Sequence, residues 1–375
     1  MRRFRHGLVI GKFYPPHLGH VALVRSAAAA CERVSVVVMA AAAEAIPLAC
    51  RVQWLAETFA ASPHVAVTGV NDDLPVDYDS PEVWAAQVAL MRGGLAQLGA
   101  DGPEAGQPDA VFTAESYGEE LARRFSAADV RLDREAVTLS GTRVREDLGR
   151  GWWDLPPATR AGLALRVILV GAESTGKTTL ALDLARTLRA RTGAWGATRV
   201  VREYGREWWA TRVAVHRALH PGTGWPEGFT AADFAHIAAA QSAFEVEAAR
   251  EGGPVLVCDT DAFATALWAE RYLGSLTAEV PPTIAHLPGR RLYLLMGTRG
   301  APFVQDGWRD GEAIREAMDA RFRALLAASG AEFVTIEGDW AERKAQALAV
   351  IEAAGRVDFS RPASEWGRLV PGRTS

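Results

Sequence analysis

RVILVGAESTGKTTL, residues 166–180, runs from an apolar stretch through a glycine-bounded loop into the start of a helix. The apolar run reads as a buried strand. Gly171, Gly176, Lys177 and Thr178 complete the GxxxxGK[ST] pattern, in the strand-to-helix setting that pattern needs. In such a loop the backbone N–H groups cradle phosphates, the lysine reaches the β- and γ-oxygens, and the threonine hydroxyl holds Mg²⁺. Glu173, Ser174 and Thr175 inside the loop, and Thr179 just beyond it, fall among the expected nucleotide-binding positions. ATP is the expected co-substrate, with Mg²⁺.

The residues that follow extend this unit. TRVVREY, GPVLVCDTD, RRLYLLMG and EFVTIEG read as further strands separated by helical segments, a parallel α/β pattern. Glu203 closes the second strand, where a carboxylate beside the phosphates can orient an acceptor hydroxyl for in-line attack. VLVCDTD ends in Asp259 and Asp261: one is expected to hold Mg²⁺ through water, with Thr178, and the other to contact substrate. The base lies among Glu203, Asp259 and Asp261. APFVQDGWRD, polar and containing Gly307 and Arg309, reads as a lid, with Arg309 able to neutralise a transferring phosphoryl group. Tyr204, Trp208, Trp268, Tyr272 and Trp308 are candidate ring-stacking residues, and Tyr204 is taken as substrate-binding.

Upstream, the chain alternates in the same way. HGLVIGKF, RVSVVVMA, HVAVTGV and DAVFTAE read as strands, and GHVALVRSAAAACE, CRVQWLAETFAA and PEVWAAQVALMRGGLAQL as helices, a doubly wound α/β domain. The rhythm breaks at REDLGRGWWDLPPATRAGLAL. Two domains are therefore expected, 1–160 and 165–358, with residues 359–375 as a mobile tail. At the end of the first strand stands GKFYPPHLGH, residues 11–20. His17 and His20 lie three apart at the opening of a helix, on one face. Gly19 permits close backbone approach, and Gly11, Lys12 and Phe13 complete an anion site at the carboxyl end of a strand. Fixed donors there suit attack on a nucleotide α-phosphate. Later, LSGTRVRE supplies Ser140, Gly141, Thr142, Arg143 and Arg145 at a helix start. Ser140 or Thr142 can cap that helix, and the arginines can hold β- and γ-phosphates.

Composition narrows the class. The 375 residues are 49% hydrophobic and 23% charged with net charge −4, an ordinary globular balance with no pull toward nucleic acid or membrane. Cys31, Cys50 and Cys258 are scattered, which fits neither a disulfide framework nor a zinc site and points to a reducing, cytoplasmic setting. The basic start and its short apolar run do not form a signal peptide, and VVVMAAAA falls well short of the ~20 residues of a membrane span.

GKFYPPHLGH resembles the HxGH signature of the nucleotidylyltransferase superfamily, and LSGTRVRE resembles its later Ser/Thr-x-x-Arg turn. Together they are similar to short, archaeal-like nicotinamide-mononucleotide adenylyltransferases, with Lys12 where many relatives have Arg. That resemblance implies that Arg51 reaches substrate phosphate and that Trp84 stacks on the nicotinamide ring, a cation–π contact. An HxGH unit followed by a P-loop kinase occurs in three fusions. These are the nicotinamide-nucleotide adenylyltransferase/ribosylnicotinamide kinases (the NadR type), phosphopantetheine adenylyltransferase/dephospho-CoA kinase, and ATP sulfurylase/adenylylsulfate kinase. The pair REYGRE and DTD resembles the first most. It implies phosphorylation of nicotinamide riboside at its 5′-hydroxyl, then adenylyl transfer to give NAD and pyrophosphate. A homo-oligomer fits the superfamily's habit. Some members repress genes through an N-terminal helix-turn-helix; the first strand begins by about residue 7 here, so no DNA-binding role is expected.

Overall fold

The computed structural model describes residues 3–99, 107–132, 139–284, 289–305, 311–360, 362 and 366. It divides into two compact units. The first comprises Met1–Gly162 together with Val357–Trp366, and the second Leu163–Arg356. The break at Gly162 falls inside the Gly/Pro/Trp-rich stretch that interrupts the alternating pattern.

The first unit is a five-stranded parallel sheet in the order β3-β2-β1-β4-β5. Its strands are β1 (Phe4–Gly11), β2 (Cys31–Ala40), β3 (Val65–Asn71), β4 (Ala110–Thr113) and β5 (Ala128–Arg131). The helices are α1 (Leu18–Ala30), α2 (Leu48–Thr58), α3 (Pro81–Gln97), α4 (Gly118–Phe125), α5 (Gly141–Glu146) and α6 (Pro157–Leu163). Strand β1 is central, with β2 on one side and β4 on the other, so the strand order reverses at its carboxyl end. That crevice is where open α/β sheets bind ligands. Two apolar layers cover the sheet. One packs α1 and α2 through Val21, Val24 and Leu55, and the other packs α3 and α4 through Met91, Leu95, Leu121 and Phe125. Strand β5, ADVR, is an edge strand too polar to stand out in the sequence.

The second unit repeats the plan in the order β10-β9-β6-β8-β7, all parallel. Its strands are β6 (Leu165–Val170), β7 (Arg199–Val201), β8 (Val255–Cys258), β9 (Arg290–Met296) and β10 (Phe333–Ile336). The helices are α7 (Lys177–Arg189), α8 (Tyr204–Leu219), α9 (Ala231–Glu251), α10 (Ala262–Leu273), α11 (Arg315–Ser329) and α12 (Trp340–Gly355). Every residue of β6, β8 and β9 is buried, as expected of strands covered on both faces. Helices α7 and α12 pack on one face through Leu180, Leu184, Leu188, Ala347 and Ile351.

Candidate active sites

In the first unit the loop after β1 brings the two histidines together through a helix cap. His17 is the N-cap of α1: its Nδ1 accepts the Gly19 N–H at 3.2 Å. His20 reaches back, and its Nδ1 accepts the His17 N–H at 3.3 Å. The rings stack with centroids 3.7 Å apart. With both Nδ1 atoms accepting, each neutral ring carries its proton on Nε2 and offers that N–H as a donor. Both rings are held neutral. Burial, and then the Arg145 charge, lower His17 to about 4; burial, and then His17 itself, push His20 well below its ordinary value. Phe13, fully buried at φ 47°, lies under Gly11 and 4.7 Å from the His20 ring, which sets the depth of the loop.

Helix α5 meets this loop from the far end of the unit. A Cβ on Gly141 would stand 3.0 Å from the Tyr14 carbonyl and 3.7 Å from the His17 ring, so the two motifs touch. Arg145 donates to the Tyr14 carbonyl at 2.5 Å and to Thr142 Oγ1 at 3.0 Å. Ser140 occupies the N-cap of α5, but its side chain makes no capping bond. Arg143 lies on the same short helix. Lys12 is half-exposed and pairs with Glu44 at 2.9 Å.

Two residues stand elsewhere than expected. Arg51 is fully buried and donates to the carbonyls of Ile46 and Lys12 and, at 2.6 Å, to Glu44, so its guanidinium braces the loop from within. Trp84 is 7% exposed in the layer between sheet and α3, its indole N–H donates to the Tyr78 carbonyl, and Arg124 lies over its ring at 5.2 Å. It is a core residue. The ring exposed beside it is Tyr78, stacked on Tyr117.

In the second unit the loop after β6 closes tightly. Gly171, at φ +136°, leaves no room for a Cβ, which would stand 2.6 Å from the Met296 carbonyl. Gly176, at φ +85°, is the N-cap of α7. Thr175 Oγ1 donates to the Ala172 carbonyl, and Lys177 Nζ folds back onto the carbonyls of Gly171 and Ala172. Thr178 Oγ1 donates to Asp259 Oδ2 at 2.5 Å. A hydroxyl and a carboxylate side by side at a phosphate loop are the hard oxygen donors that Mg²⁺ takes. Burial raises Asp259, and its bond from Thr178 and the Lys177 charge oppose this.

A cavity of about 650 Å³ opens from this loop. Residues 173–179 and Glu203 line it together with Trp209, Trp225, Phe229, Phe234, Trp268 and Tyr272, and Lys177 Nζ stands 5.9 Å from the Trp268 ring. Glu203 is raised by burial, then by Asp259, against the pull of Lys177 and Arg206. Lys177 is lowered by burial against the attraction of Glu203, Asp259 and Glu173. Such mutual perturbation in a cleft marks a functional cluster.

Val304 and Gly311 both bond to the phosphate loop. The Val304 N–H donates to Ser174 Oγ and the Gly311 N–H to Glu173 Oε2, while Arg271 pairs with Glu173 at 2.8 Å. Arg309, Gly307 and Trp308 lie outside the described residues. Sequence reasoning missed Arg315, which donates to the carbonyls of Glu173, Ser174 and Ala301, and Arg343, which donates to the Thr175 carbonyl. Arginines on long helices carry no motif that would single them out. Trp340, against Gly176, was equally unmarked.

Two expectations are corrected here. Asp261 is fully buried: it caps α10 through the Ala264 N–H and accepts from Arg291 and the Tyr293 hydroxyl, so its oxygens are taken up within the fold. Tyr204 turns away from the cavity, toward His236 and Phe244, and Trp208 donates to Asp233.

These features define a two-unit α/β protein in which each parallel sheet carries a loop that opens a helix beyond its central strand, the second loop being a P-loop of the kinase type. A family model described as an AAA domain matches residues 166–343. The chain is homologous to NadR. It is 25% identical over 351 residues to the "Trifunctional NAD biosynthesis/regulator protein NadR" of Escherichia coli (strain K12), spanning 88% of this chain and 78% of that protein. The protein of the same name from Salmonella typhimurium is equally similar. Among solved structures, a "NadR protein in complex with NAD and AMP-PNP" matches with a TM-score of 0.61 and 21% identity over 96% of this chain and 98% of that one. A "NadR protein in complex with NR" matches with a TM-score of 0.59 and 23% identity, over 95% and 98%. Both share the fold. Among the described residues, no helix is long and apolar enough to cross a membrane.

Proposed function

We propose that this chain is a two-site enzyme of NAD salvage, phosphorylating nicotinamide riboside in the second unit and adenylylating the resulting mononucleotide in the first. The observation that carries this is the cavity in the second unit. A P-loop and a raised carboxylate, Glu203, share one space with an aromatic wall fit for a flat heterocycle. The two NadR neighbours, solved with NAD and AMP-PNP and with NR, support the same reading.

In the kinase reaction, the riboside ring rests against Trp209, Trp268 and Tyr272. Glu203 accepts the proton of the 5′-hydroxyl as its oxygen attacks the γ-phosphorus, and ADP leaves. Lys177 releases its loop carbonyls to bind β/γ oxygens. Thr178 and Asp259 would hold Mg²⁺, which supplies charge neutralisation on those oxygens. Arg309 would close over the transferring group.

In the adenylyl reaction, a phosphate oxygen of the mononucleotide attacks the α-phosphorus of ATP and pyrophosphate leaves. His17 and His20 donate their Nε2–H groups to oxygens that gain charge, while Arg145, Arg143, Lys12 and the N–H groups of α5 hold the departing phosphates. No covalent intermediate is required.

The test is mass spectrometry of products from purified protein with Mg-ATP and nicotinamide riboside. NAD, ADP and pyrophosphate together are expected. Absence of phosphorylated riboside at any enzyme concentration would remove the kinase half, and accumulation of the mononucleotide with no NAD would remove the other.

A further inference from the structure

The chain leaves the first unit at Gly162 and returns to it at Val357. The returning residues do not lie on neutral surface: they meet the loop that carries the histidines. The Tyr14 hydroxyl donates to the Phe359 carbonyl at 3.1 Å across 345 residues of chain. The Phe359 ring stands edge-on to the Tyr14 ring, with centroids 5.8 Å apart and planes at 84°. Asp358 steadies the turn by accepting the Ser360 N–H. Further on, Trp366 packs near Trp54 of α2, with centroids 6.3 Å apart.

Tyr14 is the hub of its loop. Its hydroxyl also accepts the Ala45 N–H at 2.9 Å. Its ring carries the guanidinium of Arg51 at 4.4 Å and that of Arg145 at 5.0 Å. Its carbonyl receives Arg145 Nη1. A ring bearing two guanidinium groups, with its hydroxyl bonded on both the donor and acceptor side, has little freedom left. One of those two hydroxyl bonds, and the edge contact on the ring, come from Phe359.

We propose that the segment 357–360 is a positioning element of the first unit's site: Phe359 fixes Tyr14, and Tyr14 fixes Arg145 beside His17. This rests on the reading of that unit as an adenylyltransferase. Phe359 acts through Tyr14 and touches no reacting atom. Residues 357–360 are thereby a working part of a site whose other residues all lie before residue 150. Residues 361, 363–365 and 367–375 lie outside the described residues.

Five variants test this: Phe359→Ala, Phe359→Tyr and Tyr14→Phe in the full chain, a chain ending at Arg356, and Tyr14→Phe in that shortened chain. Two readouts are needed. The first, independent of turnover, is hydrogen exchange at the Ala45 amide and across residues 12–17. Exchange about ten-fold faster in Phe359→Ala and in the shortened chain is expected, because the bond that amide makes depends on a fixed Tyr14 hydroxyl. The second is NAD formation from the mononucleotide, with riboside phosphorylation in the same sample as the internal reference. We expect kcat for NAD formation to fall by about ten- to a hundred-fold, the usual consequence of displacing a positioned group by about 1 Å. Phosphorylation stays at the full-length rate, and Phe359→Tyr restores NAD formation. Tyr14→Phe in the shortened chain adds little to the loss, since both changes break the same link. Unchanged exchange in Phe359→Ala overturns the proposal, as does a loss that reaches both activities equally. A full-length chain that makes no NAD removes the adenylyltransferase reading instead, and the exchange measurement still decides the role of Phe359.

Discussion

The loop after β1 and the loop after β6 hold equivalent places, each beyond the central strand of a five-stranded parallel sheet and each opening a helix. They hold their shapes by different means. The second is local: Gly171 and Gly176 adopt positive φ, and the lysine and threonine follow directly in sequence. The first is assembled from afar. Its histidines cap α1, but Tyr14, Arg51, Arg145 and Phe359 hold the loop through contacts between distant parts of the chain. A local device tolerates change elsewhere, whereas a distributed one can be disabled from many positions.

The comparison is sharpest where a single hydrogen-bond donor is removed from each loop. Lys177→Ala is expected to lower riboside phosphorylation by about 10³-fold or more and to leave NAD formation from the mononucleotide intact; loss of both in a folded protein would break the two-site picture. His20→Ala should do the reverse, with a loss of about 10²- to 10³-fold, the scale of removing a fixed donor to developing phosphoryl charge. Rates of both half-reactions measured on one preparation check the pair.

Glu203→Gln should cost about 10²-fold in the kinase kcat with little change in KM. The sign of its pH effect follows from burial. The carboxylate form is the base, and its folded pKa is raised, so kinase activity is lost as pH falls through a value above the ordinary carboxylate range. Glu203→Gln should abolish that acid limb in a kcat/KM profile. Trp209→Ala, in the aromatic wall, should raise KM for the riboside by about ten-fold and spare KM for ATP.

The smallest effect is on stability. His6 and His17 are held neutral with pKa values of about 4, for burial first and then for the nearby Arg33 and Arg145 charges. The unfolded chain, with histidines near 6.5, therefore binds more protons between about pH 6.5 and 4, and the first unit loses stability as pH falls through that window. Thermal melts should show its transition moving down by several degrees from pH 7 to pH 5. A shift of the second unit's transition alone would contradict this account.

Much of this was legible in the sequence. The strands of both sheets except β5, the helix openings at His17 and Lys177, and the break near residue 160 all follow from apolar runs and glycine or proline punctuation. Side-chain roles were less legible where a residue's partner lay far away. Arg51 and Trp84 have the right chemistry for ligand contact but are consumed by Glu44 and the α3 layer. Asp259 and Asp261 stand two apart, yet one faces the phosphate loop and the other a buried arginine.

The sequence by itself determined the two parallel sheets, the P-loop and the helix that His17 opens, because strand burial, helix capping and glycine backbone freedom act over a few residues. Only the tertiary structure decided which aromatics wall the cavity, which aspartate faces the lysine, and that Phe359 returns to Tyr14. Those outcomes depend on which side chains meet across the folded sheet, and spacing along the chain carries no record of that.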